Sequence, residues 1–281
     1  MTRTVEQVTD VVTYHGEGPC WWPGWGGLRW VDMLAGDVLS LRADGTVDRV
    51  HVGEVAAFLR PRSSGGWVVA VERGLALGAD PEEVPDDVQE IWSDPGVRMN
   101  DGGCDPFGAL YAGSMAYDAA EGAATLYRVD PRRSVSVALA GVTISNGFAV
   151  DPSGRRAYYN DSATGRTDVL DVTPEGVGGR RPFHRVPAGS PDGLAVDSAG
   201  NVWTAVHGQG VVVCVSPSGE VLERVPVPVA QVTACAFGGP ELRDLYVTTS
   251  RENLDDPEPA AGALFRARVD VPGLPVLPFG G

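Results

Sequence analysis

Asn146-Gly147-Phe148-Ala149-Val150-Asp151-Pro152-Ser153-Gly154 returns 46 residues later as Asp192-Gly193-Leu194-Ala195-Val196-Asp197-Ser198-Ala199-Gly200, and this internal repeat decides the fold. A more worn copy runs from Asn100 through Asp105 to Gly108. In every copy a polar residue is followed by Asp five positions on and by Gly eight positions on. The Asp and Gly read as a turn, because Asp bonds its own downstream backbone and Gly takes a positive φ that other residues resist. Asp105, Asp151 and Asp197 are therefore expected to be structural. The first position, always Asn or Asp, is the one left over for function.

A short apolar run carrying an aromatic follows each turn and recurs along the whole chain. With Trp30, Trp67, Tyr111, Tyr158, Trp203 and Tyr246 as markers, the separations are 37, 44, 47, 45 and 43 residues. A period in the low forties is the size of a four-stranded propeller blade. The β-branched and aromatic runs, punctuated by Gly, Pro and Asp, favour strands, and no long 3.6-residue periodicity competes with them. The expected architecture is all-β, a six-bladed β-propeller with four antiparallel strands per blade, occupying residues 1–281 as one domain. A ring removes the exposed edges of an open sheet, and closing it requires both ends of the chain. Val5–Tyr14 and Ala263–Val269 are the segments expected to pair in one blade.

Composition narrows the partners. Twenty-two Lys and Arg against 37 Asp and Glu give a formal charge of −15, which disfavours nucleic acid and anionic membrane surfaces and suits a cation or a small molecule. The first residues lack the apolar stretch of a signal peptide and no run is long enough to span a bilayer, so a cytoplasmic protein is expected. Cys20, Cys104, Cys214 and Cys235 have neither metal-site spacing nor the density of a disulfide scaffold, and are expected to be reduced and buried. The sequence leaves the oligomeric state open.

Register turns the repeat into a candidate site. Asn100, Asn146 and Asp192 lie 11, 12 and 11 residues before their aromatic markers, and Glu17, in Gly16-Glu17-Gly18-Pro19, lies 13 before Trp30. Equivalent positions of a propeller fall on one ring about its axis, so these side chains are expected to converge on the central channel. Clustered carboxylates are costly to bury unless a cation joins them. Oxygen-only donors select a hard divalent ion, Ca²⁺, Mg²⁺ or Mn²⁺, with Zn²⁺ left open. The same register reaches Glu54 and Thr233 to Cys235, which lack the turn or the donor type and are set aside.

These motifs, with Arg98-Met99-Asn100-Asp101-Gly102, Ala112-Gly113-Ser114-Met115, Ile144-Ser145-Asn146-Gly147, Pro191-Asp192-Gly193 and Cys235-Ala236-Phe237-Gly238-Gly239, resemble the senescence-marker-protein/gluconolactonase family of regucalcin-like lactonases. The resemblance implies a single divalent metal held by Glu17, Asn146 and Asp192, with Asp192 doubling as catalytic base. It also implies substrate contacts from Arg98 and Asn100, Asn100 lying close to the metal. A further acidic family position, usually Glu, falls on Asp118, whose shorter side chain implies a different sugar or lactone pocket. The implied activity is hydrolysis of a sugar-derived or similar small lactone. Two alternatives stand beside it: a non-catalytic propeller that binds Ca²⁺ or a small molecule, and a propeller enzyme of other chemistry, since fold does not fix function. No Gly-x-Ser-x-Gly elbow points to a serine nucleophile; His15, two residues before Glu17, reads either as a partner supporting that ligand or as a surface histidine, and His207 has no role assigned by the sequence.

Overall fold

The computed structural model describes residues 3–281, and those residues form six four-stranded antiparallel sheets. Five blades follow the chain directly, with first strands Gly16–Trp22, Ala56–Pro61, Val97–Cys104, Ser145–Val150 and Ser190–Val196. The sixth begins with Val232–Gly238. These six first strands pack against one another in sequence and the last against the first, so they line the axis of a closed six-bladed β-propeller. Closure comes from the chain start: Val5–Gln7 is the outer strand of the sixth blade, antiparallel to Phe265–Arg268 with Val5 opposite Ala267. The expected pairing of the two chain ends is thereby met.

All six aromatic markers lie on second strands, the segments Gly27–Asp32, Trp67–Val71, Leu110–Ala116, Arg156–Asp161, Val202–His207 and Asp244–Thr249. Two of them tie blades together. Tyr111 stacks on Phe148 of the next blade, with ring centroids 4.4 Å apart, and Trp203 meets Phe237 edge-on at 5.9 Å. Such aromatic pairs contribute about 0.5–1.5 kcal/mol beyond the burial of their area.

The repeated Asp and Gly do what the sequence requires of a turn. Asp197 Oδ1 accepts the N–H groups of Ala199 and Asn201 at 2.9 Å, while Oδ2 takes Asn201 Nδ2 at 2.8 Å and Trp203 Nε1 at 3.0 Å. Gly200 closes the turn at φ 83°. Asp105 and Asp151 accept equivalent local bonds. The four cysteines are free and buried, and among the described residues no helix is long and apolar enough to cross a membrane.

Candidate metal and substrate site

In all six blades the pairing of first and second strands slips at one level, between Glu17 and Cys20, Ala56 and Phe58, Met99 and Gly102, Ser145 and Phe148, Pro191 and Leu194, and Val232 and Cys235. A β-bulge bends the strand and re-aims the side chain at that point. Asn100, Asn146 and Asp192 sit within these bulges, and Glu17 opens its own. The glycines after them are required by packing: a Cβ on Gly193 would stand 2.4 Å from the Ala234 side chain, and one on Gly147 2.7 Å from the Leu194 backbone. Asn-Gly and Asp-Gly thus join a polar side chain to the closest approach of two neighbouring blades.

The bulges bring Glu17, Asn146 and Asp192 into one buried environment. Burial first, and then the charges of Asp192 and Asp101, hold the Glu17 carboxyl well above its usual range. Asp192 is pushed up in the same way by burial and Asp101, while the Asn146 amide and the Gly193 N–H oppose the shift. Glu17 Oε2 accepts the Gly18 N–H at 3.0 Å, and Asn146 Nδ2 donates to Ser162 Oγ at 2.9 Å. Asn146 Oδ1 and Asp192 Oδ1 are buried with no hydrogen-bond partner. A buried polar oxygen left unpaired costs about 1–3 kcal/mol, so two of them beside the Glu17 carboxyl would be relieved by an occupant. Two carboxylates and an amide oxygen, two of whose acceptor atoms are left without a partner, fit a hard divalent cation. Among the described residues no three Asp, Glu, His or Cys side chains are close enough to share an ion.

The remaining blades show why the ring is incomplete. In the second blade the bulge residue is Ala57, while Glu54 lies outside the strand and is exposed. In the sixth, Thr233 Oγ1 is committed to Gly16 O and to Thr248 Oγ1. Asn100 is also occupied: its Nδ2 donates to Ser145 O at 2.9 Å and its Oδ1 accepts from Arg98 NH1 at 2.9 Å. It therefore joins the third blade to the fourth and holds Arg98 in place. Arg98 is buried, and the same NH1 faces Met99 O and Met33 Sδ. Burial lowers its pKa, opposed by the charges of Glu252, Tyr117, Glu17 and Asp192 in that order. Asp118 does not join this group. It lies in an exposed turn where its Oδ1 accepts the Ala120 N–H at 3.1 Å.

Three participants were missed by sequence reasoning. Asp101 is buried beside the site, its carboxyl raised by burial, with Oδ1 accepting the Gly102 N–H at 2.7 Å. The signal was available, since Asp101 follows Asn100 within the bulge. Asn160 and Ser162 brace the fourth blade against the fifth by donating to Asp192 O at 2.5 Å and to Pro191 O at 2.7 Å. Nothing in their spacing marks them, because their partners lie about 30 residues away and meet them only when the ring closes. From the other end of the channel, a cavity of about 490 Å³ reaches Asp101 and Arg60 between apolar walls that include Phe148, Phe237 and Leu274.

A six-bladed propeller with a bulge-borne cluster of buried oxygen donors defines a class of axial-site proteins. The model of the SMP-30/gluconolactonase/LRE-like region matches residues 15–251. The chain belongs to that family. It is 34% identical to the 6-deoxy-6-sulfogluconolactonase of Pseudomonas putida and 34% identical to the pentonolactonase XacC of Haloferax volcanii, each alignment covering 97% of both chains. A crystal structure described as the calcium-binding protein regucalcin from Agrobacterium tumefaciens superposes with a TM-score of 0.92 at 28% identity, covering 99% of this chain and 98% of that one.

Proposed function

We propose that this chain hydrolyses a sugar-derived lactone in a divalent-metal-dependent reaction. The lactonase names of relatives aligned along nearly the whole chain support the reaction class. The observation that carries the site assignment is the pair of orphaned buried oxygens, Asn146 Oδ1 and Asp192 Oδ1, next to the Glu17 carboxyl. Glu17, Asn146 and Asp192 would hold the cation. When bound, such an ion supplies Lewis-acid polarisation of an ester carbonyl and lowers the pKa of water.

The chain's own residues account for the rest. Asp192 is the general base: it takes a proton as water adds to the carbonyl carbon, then returns it to the ring oxygen as the ring C–O bond breaks, leaving a hydroxy acid. A carboxylate has two oxygens, so holding a cation and accepting a proton do not exclude one another. General acid–base catalysis of this kind contributes about 10²–10⁴-fold in rate. Arg98, with NH1 spent on protein acceptors, keeps its other N–H groups for the carbonyl or a hydroxyl of the substrate, and Asn100 fixes the guanidinium. Asn160 and Ser162 keep the Asp192 backbone in register.

The relatives that carry the name regucalcin favour a second reading, a calcium-binding propeller without turnover. The two separate in a pH-indicator assay with aldonolactones, run on metal-stripped protein and again with Ca²⁺, Mg²⁺, Mn²⁺ or Zn²⁺ restored. Lactone opening that appears only with metal supports the lactonase. Tight metal binding with background-level hydrolysis of every lactone supports the binder.

A further inference from the structure

We infer that Asp32 and Asp161 are positioning residues for the metal: each carboxylate fixes the chain that leads into one ligand, Asp32 for Glu17 and Asp161 for Asn146. The inference rests on the divalent-metal reading and adds the residues that hold its donors in place before an ion arrives. Each aspartate stands 15 residues after its ligand. Both are buried, and each is the last residue of its second strand, Gly27–Asp32 or Arg156–Asp161.

The geometry is the same in the two blades. Asp32 pairs with Gly16 and Asp161 with Ser145, the first residues of their axial strands. The N–H groups three and two positions before each ligand fall just outside that pairing, and the carboxylate accepts both of them. Asp32 Oδ1 takes the N–H of Tyr14 at 3.1 Å and of His15 at 3.0 Å. Asp161 Oδ1 takes the N–H of Thr143 at 3.3 Å and of Ile144 at 3.1 Å. The next residue closes the other side, the Met33 N–H donating to His15 O at 2.9 Å and the Ser162 N–H to Ile144 O at 3.0 Å. The approach to each ligand is thereby clamped through its donors and its acceptor alike. An ionised acceptor makes the stronger bond, whereas an amide in its place would turn an NH₂ towards the same N–H groups.

Each clamp is backed from the outermost strand of its blade. The Arg49 guanidinium, on Val47–His51, lies 3.4 Å from Asp32 Oδ2 and also pairs with Asp37. The Arg180 guanidinium, on Gly176–Arg185, lies 3.7 Å from Asp161 Oδ2 and pairs with Asp168 at 2.6 Å. The fifth blade is built differently. The position 15 residues after Asp192 is His207, and the Asp192 backbone is held from the fourth blade by Asn160. Asp161 stands between Asn160 and Ser162, so one strand end serves two ligands. Its loss should be felt more widely than that of Asp32.

The test titrates metal-stripped protein with Mn²⁺ by calorimetry, well below the melting temperature, for the parent chain, D32N, D161N and the turn variant D197N. D32N and D161N are expected to raise the Kd about tenfold or more, the low end for partners that orient metal ligands, with D161N the larger. Hydrogen exchange should show protection lost at Tyr14 and His15 in D32N, and at Thr143 and Ile144 in D161N. D197N is expected to lower the melting temperature and leave the Kd within about twofold of the parent, which separates positioning from general stability. A Kd within about twofold of the parent in folded D32N or D161N overturns the assignment of that residue. Should either variant fail to fold, R49Q or R180Q decides for its blade. A Kd raised about twofold or more, the scale of a partly exposed ion pair, supports the clamp, and an unchanged Kd overturns it. If the parent binds no ion, the metal reading itself fails and the inference falls with it.

Discussion

The two ends of the axial strands carry the same residue type and treat it in opposite ways. At the turn end, Asp197 is fully buried and both oxygens are taken by local donors. Five residues upstream, at the bulge, Asp192 is also buried, yet Oδ1 has no partner, and burial together with the Asp101 charge holds its pKa up. The repeat supplies an acid at both places, and only satisfaction by hydrogen bonds separates them. A satisfied buried carboxylate is part of the scaffold. An unsatisfied one, convergent with others, is an invitation to an ion or a substrate.

Substitutions at the two positions should therefore have opposite signatures. D192N is expected to cut kcat by about 10²–10⁴-fold, the range for loss of a general base. It should at the same time stabilise the metal-free chain, because it removes a charge crowded by Asp101 and Glu17. Thermal melting in chelator and steady-state rates with metal read the two effects separately. D197A is expected to do the reverse. It strands the buried donors of Asn201 and Trp203, at about 1–3 kcal/mol for each group left unpaired, and should lower the melting temperature while sparing the kcat of the molecules that remain folded.

A gentler probe is pH. Glu17, Asp101 and Asp192 all have folded pKa values raised above the ordinary 3.8 to 4.5. In the metal-free chain they impose little penalty below that range, and their deprotonation costs stability as pH rises through the raised values. Chemical denaturation of chelated protein should show stability falling from about pH 5 upward at this site, and a divalent cation should flatten that fall. The smallest effect is expected at Asp118, where the carboxylate serves an exposed turn. D118A should change kcat/KM by less than about threefold, within the range of ordinary surface substitutions.

The fold was legible because a propeller repeats its instructions. The Asn-Gly and Asp-Gly stretches with their following turns encode a bulge, a close blade contact and a strand end in nine residues, and the aromatic markers set the period. Within the site, Glu17, Asn146 and Asp192 were legible through shared register, which the bulges conserve even where spacing drifts by a residue or two. Asn160, Ser162 and Tyr117 were not legible in the same way. Each acts on a residue of another strand or blade, Asn160 on Asp192 O and Tyr117 on Glu72, and no sequence period records who faces whom across a closed ring. Asp118 illustrates the converse. Its place in the motif pointed to the substrate, while the local chain directs its oxygen to Ala120.

The most direct test of the central claim is a titration of the metal-stripped chain with Mn²⁺, followed by calorimetry and by lactone opening in the same samples. The oxygens of Glu17, Asn146 and Asp192 predict a single binding step near one ion per chain, with activity rising in parallel, and neither signal in a chain carrying E17Q and D192N. Lactone opening at full rate before any ion is added, or one-ion binding unchanged in the double variant, would contradict it.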